Sequence, residues 1–207
     1  MRANYDITLR CSTPGGVELV PYRPEHVARY HEWMSSEDLL AATASERLTL
    51  DEEIAMQREW ARDDRKLTFI VLDRESKVMI GDVNAFFNDA DDDKRAEIEI
   101  MIAEPAFRRR GLAIEALTMF MSYGAIELGV TAFYAKIGFD NVASNALFAR
   151  LGFAETSRSA IFEETTFEVR TGVAEIDGGE VYERFAACWA SMDVGSYDAS
   201  RGAGAAE

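Results

Sequence analysis

The chain has 207 residues, 48% of them apolar and 29% charged, which is the balance of one soluble globular domain with a core of its own. Lys and Arg number 22 against 37 Asp and Glu, a formal charge of −15. That charge excludes a general nucleic-acid binder, which needs a basic face, disfavours docking on anionic lipid, and attracts cationic substrates such as amines. Cys11 and Cys188 stand at opposite ends with no metal-type spacing and are too few for a disulfide scaffold. The first residues lack the apolar run of a signal peptide, and no window approaches the ~20 apolar residues of a membrane span. The expected compartment is therefore cytoplasmic.

Along the chain, Gly15-Gly16 reads as a turn before a first strand over Val17 to Tyr22. Pro24 suits a helix start, and Val27, Tyr30 and Met34 follow at helical spacing. Leu39 to Leu48 reads as a loop or short helix. Thr49 and Glu52 form a capping box ahead of a helix carrying Ile54, Ala55 and Trp60. Leu67 to Leu72 and Val78 to Phe87 are predicted strands joined as a hairpin. The acidic run Asn88 to Asp93 lacks the ligand spacing of a calcium loop and reads as a solvated turn.

Ala96 to Ala103 alternates as a strand. Ile98, Ile100 and Ile102 share one face; Glu97, Glu99 and Met101 share the other. A long helix is predicted from Leu112 to Leu128, a strand from Phe133 to Ile137, and a short helix from Ala143 to Leu151 with Gly152 as its stop. Ile161 to Arg170 alternates as a closing strand. Residues 171–207 change in character: Gly178-Gly179, a predicted helix over Glu180 to Met192, then an acidic Ala/Gly-rich end expected to be disordered. These elements make a mixed α/β domain over residues 15–170, with a partly disordered acidic extension over 171–207.

Chemistry concentrates at two segments. In Glu104-Pro105-Ala106-Phe107-Arg108-Arg109-Arg110-Gly111-Leu112-Ala113, a strand ends and a basic glycine loop opens a long helix. Unpaired backbone N–H groups, the helix dipole and flanking arginines suit a pyrophosphate. Alone, the run reads equally well as a solvated basic turn. The second segment, Asn141 to Phe153, starts 33 residues after Arg108 and is, as a helix, an ordinary capped one.

Together, Arg-x-x-Gly-x-Ala after one strand and Asn-x-x-Ser-x-x-Leu-Phe-x-x-Leu-Gly-Phe after the next resemble the GNAT superfamily of N-acetyltransferases, as does the order of elements. The runs Tyr30 to Met34, Thr43 to Glu46, Thr68 to Asp73, Gly81 to Asn84 and Glu97 to Pro105 resemble one branch, linked to tubulin and microtubules. The resemblance implies a central mixed β-sheet flanked by helices, with acetyl-CoA in a cleft where two parallel strands splay. The backbone at Met101 and Ile102 would pair with the pantetheine arm. The amides of Arg108, Arg109, Arg110, Gly111, Leu112 and Ala113 would hold the pyrophosphate, and Asn141 would sit near the thioester. Acetyl would pass directly to an acceptor amine on a protein, tubulin included, with no metal, nucleic acid or membrane involved.

A base must take the acceptor's proton; the resemblance implies a glutamate on the strand before the cradle, where Glu97 and Glu99 are the candidates, with Glu46 and Asp82 behind them. Phe148 stands where many members carry a tyrosine that protonates the leaving thiolate, and phenylalanine has no proton to give. Two alternatives remain open: a non-catalytic protein that binds acetyl-CoA or a partner, and an acetyltransferase of polyamines or other small amines. The sequence leaves the oligomeric state open.

Overall fold

The structure is a computed structural model and describes residues 2–11, 16–171 and 179–198. Strands β1 (Ile7–Cys11) and β2 (Val17–Pro21) come first. Helices α1 (Val27–Trp33), α2 (Glu37–Ala42) and α3 (Leu50–Trp60) cross over to β3 (Lys66–Asp73), β4 (Met79–Phe86) and β5 (Arg95–Ile102). Then follow α4 (Leu112–Ile126), β6 (Ala132–Gly138), α5 (Val142–Arg150), β7 (Ala154–Ser159), β8 (Glu164–Arg170), α6 (Glu180–Ser191) and β9 (Met192–Ser196).

Among the described residues the strands form one sheet in the order β7-β8-β6-β5-β4-β3-β2-β1-β9. The pair β5–β6 is parallel, and the other pairs are antiparallel. The crossover from β5 through α4 to β6 supplies that parallel pair, since parallel neighbours need a long connection. β3 and β4 pair as the predicted hairpin.

Period-two alternation sends β3, β4 and β5 side chains to two cores. Leu67, Phe69, Val71, Val83, Ala85 and Ile98 pack with α4 and α6 through Leu117, Phe120, Met121 and Phe185. On the other face, Ile70 and Met101 meet Tyr22, Tyr30, Trp33 and Leu40 beneath α1 to α3. The capping box on α3 forms as predicted. Thr49 Oγ1 accepts from the Glu52 amide, and the Thr49 amide donates to the Glu52 carboxylate at 2.8 Å. Leu39 to Leu48 contributes the end of α2; the closing strand expected from Ile161 starts at Glu164 as β8, and a further strand, β7, precedes it.

The sheet also overruns the expected domain limits at 15 and 170. β1 lies before them, α6 packs on α4 after them, and β9 pairs along β1 from Ile7–Ser196 to Cys11–Met192. The sequence concealed this because β9 (Met192-Asp193-Val194-Gly195-Ser196) has weak strand propensity and exists through pairing. Gly195 is needed there, as a Cβ on it would lie 2.8 Å from Thr8 Oγ1. The expected disorder of the final Ala/Gly-rich residues, and the Gly15 and Gly178 turn positions, fall outside the described residues. No helix among the described residues is long and apolar enough to cross a membrane.

Candidate active site

The parallel ladder between β5 and β6 runs from Arg95–Ala132 to Glu97–Tyr134 and stops there, although both strands continue. One end is clamped. The Arg95 guanidinium lies 3.9 Å above the Tyr134 ring and reaches Glu168 on β8 at 2.9 Å and Asp89 at 3.1 Å. Beyond the clamp the strands part and open a cleft of about 960 Å³. Its walls include Glu97 to Met101 of β5, Ala135 to Gly138 of β6, and Asn141, Ser144 and Phe148 at α5. Tyr30, Trp60, Asp82, Asn84 and residues 41–45 close the side under α1 to α3. Trp33 Nε1 donates to Glu104 at 2.6 Å and Arg29 pairs with the same carboxylate at 2.5 Å, which fixes α1 across the end of β5.

Both candidate bases line this cleft. Glu97 receives Lys136 Nζ at 3.2 Å. Glu99 opens onto the cleft beside it. Partial burial pushes its carboxyl above the usual range; Lys66 and Lys136 pull it back, while Asp82 and Glu97 push it further up. Asp82, the lesser candidate, lines the cleft but is only 2% exposed. Burial raises it to about 6, against hydrogen bonds from Asn84 Nδ2 at 2.6 Å and Tyr30 OH at 3.3 Å and the nearby Lys66 cation. Glu46 is exposed and does not line the cleft.

Lys66, Tyr30, Asn84 and Lys136 were not singled out from the sequence. Lys66 is 3% exposed, its ammonium 3.8 Å from the Trp60 ring centre and 3.3 Å from that of Phe86. Burial lowers it to about 7, against the pull of Glu99, Asp82 and Asp63. The sheet register groups them: Lys66 pairs with Phe86 and Thr68 with Asn84, so strand alternation carries Lys66, Thr68, Asp82, Asn84, Glu97 and Glu99 to one face.

The expected phosphate cradle lies at the start of α4. Gly111 is its N-cap at φ +82, Arg109 stands at φ +60, and no side chain caps the helix. The first-turn amides of Leu112 and Ala113 therefore point out of the helix end, with open space where a Cβ on Gly111 would be. This fits a pyrophosphate. Arg108 is otherwise engaged. Its amide donates to Pro105 O at 3.2 Å, and its guanidinium holds Ile102 O at 2.8 Å and Ala103 O at 2.9 Å, bracing the strand end. Arg109 and Arg110 are exposed. Met101 is buried in the cleft wall, and Ile102, at the end of β5, pairs with Gly81. Asn141 caps α5 by accepting from the Ser144 amide at 3.1 Å and borders the cleft. Phe148 is 3% exposed, packs edge-on against Phe153 at 5.0 Å and still forms cleft wall.

A mixed sheet whose one parallel pair parts beside an uncapped, glycine-led helix has the architecture of the CoA-dependent acetyltransferases. The fold is shared with spermidine N-acetyltransferase from Vibrio cholerae, solved in complex with CoA and spermine (TM-score 0.65, 18% identity, 81% of this chain and 96% of that one). Residues 17–154 match the acetyltransferase (GNAT) domain, and the chain belongs to this family of acyl-transferring enzymes. It is 52% identical over 153 residues to the N-acetyltransferase 9-like protein of Nematostella vectensis, covering 70% of this chain and 76% of that one. It is 53% identical over 138 residues to the alpha/beta-tubulin-N-acetyltransferase 9 of Mus musculus, covering 62% of this chain and 57% of the mouse protein.

Proposed function

We propose that this chain transfers acetyl from acetyl-CoA to an amine of a protein acceptor, with tubulin the first acceptor to test because relatives about half identical carry that name. The observation that carries the reading is the opening of the β5–β6 ladder directly at Glu97, with Glu97 and Glu99 facing the gap.

When bound, acetyl-CoA supplies an activated thioester. The backbone of Met101 and Ile102 would pair with the pantetheine arm. The amides from Arg109 to Ala113 take the pyrophosphate, and Arg108 keeps the strand end in place. Asn141 and Phe148 border the reacting end. Glu97 and Glu99 draw an acceptor ammonium toward the gap and take its proton, directly or through water. A carboxyl raised above the usual range, as Glu99 is, works closer to neutral pH. Phe148 gives no proton, so the thiolate leaves unassisted; a thiol of pKa near ~8.5 is a good enough leaving group for this. The acidic gap suits a cationic acceptor. The overall charge of −15 opposes a broad contact with an acidic surface such as the microtubule wall, so the acceptor is best presented as a flexible segment.

Two measurements test this. CoA should raise the melting temperature, and Gly111→Val, which forces a branched side chain into φ +82, should remove that shift. CoA release should then be followed with tubulin, amino-terminal peptides and spermidine. Turnover with tubulin or peptides supports the reading. Turnover with spermidine alone would make the protein a polyamine enzyme, and binding without turnover would make it a non-catalytic binder.

A further inference from the structure

The chain has only four lysines, Lys66, Lys77, Lys94 and Lys136, among 22 basic residues. Their surroundings differ. Lys66 is buried against two rings. Lys77 Nζ is tied to Glu18 at 2.5 Å, away from the cleft. Lys94 is exposed, and its Nζ donates to Leu128 O at 3.3 Å. Lys136 is the one lysine that lines the cleft among the described residues. It stands on β6 two positions beyond Tyr134, the last residue paired with β5, so it flanks the gap itself. Its side chain is 44% exposed, and its ammonium sits 3.2 Å from Glu97 Oε2.

An amine acetyltransferase needs an ammonium held at a carboxylate beside the thioester, and Lys136 supplies one from within the chain. We propose that Lys136 is itself an acetyl acceptor, so that the protein acetylates its own cleft lysine. The proposal rests on the acetyl-CoA reading given above. In the step, the Glu97 carboxylate takes one proton from the Lys136 ammonium and passes it to water. The freed nitrogen lone pair attacks the thioester carbonyl carbon, and a C–N bond forms. The C–S bond breaks with its electron pair left on the CoA sulfur. The nitrogen then loses a second proton, which ends on that sulfur. The products are an uncharged acetyl-lysine, CoA thiol and one proton in solution. Glu97 loses its ion-pair partner, so modification would leave this carboxylate open to an outside ammonium.

The test incubates the purified full chain with acetyl-CoA and no acceptor, and follows all four lysines by peptide mass spectrometry. Lys136 should gain acetyl at least ~10-fold faster than Lys94, because a side chain held in the site reacts as an intramolecular partner. Its rate constant should not change on dilution of the protein, and heat-denatured chain should lose the preference. In Lys136→Arg, which keeps a cation against Glu97, the fast phase should vanish without moving to Lys94. CoA binding is measured alongside by melting temperature. If CoA stabilises the protein and Lys136 still lags or equals Lys94, the self-acetylation proposal is overturned while the cofactor reading stands. If CoA neither stabilises the protein nor supports selective labelling, both fall.

Discussion

The two faces of one sheet solve opposite problems with the same strands. Toward α4 and α6, β3 to β5 present Leu67, Phe69, Val71, Val83, Ala85 and Ile98, and the packing is apolar. Toward α1 to α3 they present Lys66, Thr68, Asp82 and Asn84, with charge kept where water is scarce, and Glu99 at the open margin of the cleft. Thr68 Oγ1 donates to Asn84 Oδ1 at 2.8 Å and Asn84 Nδ2 to Asp82 at 2.6 Å, so the buried carboxylate is held by a short polar ladder. Burial is therefore not one property of this core. One face turns it into stability, and the other spends stability to shift proton affinities beside the cleft.

The sharpest way to break this contrast is to damage the apolar face. Phe120 is fully buried and meets Phe69 edge-on at 6.1 Å. Phe120→Ala should cost ~3–5 kcal/mol in urea unfolding. A loss below 1 kcal/mol, on the order of a surface substitution, would show that this face does not carry the stability assigned to it. On the polar face the signature should reverse. Glu97→Gln and Glu99→Gln should lower turnover, the more important of the two by ~10²-fold, with melting temperature and CoA binding retained. If neither change nor the double change slows the enzyme, the acceptor's proton leaves by another route.

Phe148 tests the border between the two regimes, since it packs against Phe153 and also lines the cleft. Phe148→Tyr should cost ~1–3 kcal/mol, because a buried hydroxyl arrives without a planned partner, and should change single-turnover rates little. A large rate gain at unchanged melting temperature would instead place this ring at the reacting sulfur. The smallest effect has the opposite sign. Lys66→Met removes a buried cation and should raise the melting temperature slightly at neutral pH and below. Burial lowers Lys66 to about 7 in the fold, from an ordinary value of 10.5. Between those values the unfolded chain binds a proton that the folded chain does not, so the wild type gains stability as pH rises. The advantage of Lys66→Met should therefore shrink from pH 7 upward. An advantage that grew with pH would mean that Lys66 is stabilised as a cation.

The contrast also explains what was legible in the sequence. α4, α5, the β3–β4 hairpin and the α3 capping box follow from local patterns and were read correctly. The isoleucine face of β5 and its opposing glutamates followed from alternation alone. The two edges of the sheet did not. β7 is Ala-Glu-Thr-Ser-Arg-Ser and mostly exposed, so it has no apolar alternation to detect, and it exists by pairing with β8. β1 and β9 depend on each other across nearly the whole chain. In the site, alternation put Glu97 and Glu99 on one face of β5, and the family resemblance made that strand the place to look for a base. Lys66 could not be read, because a lysine at the start of a strand ordinarily faces water. Only the rings of Trp60 and Phe86, brought in from α3 and β4, make it a buried cation.

The pairing of β9 with β1 has a consequence for how the protein is made. β1 leaves the ribosome well before β9, and β2 can pair with it early along one side. Its other side waits for residues 192–196. Until those residues emerge, a row of unpaired backbone groups faces outward at that edge, open to any neighbouring strand. For this sheet the sealing step comes late: α6 docks on α4 and lays the strand that follows it along the open edge. A chain cut short before α6 would hold most of its cleft and yet keep the sticky margin of an unfinished sheet.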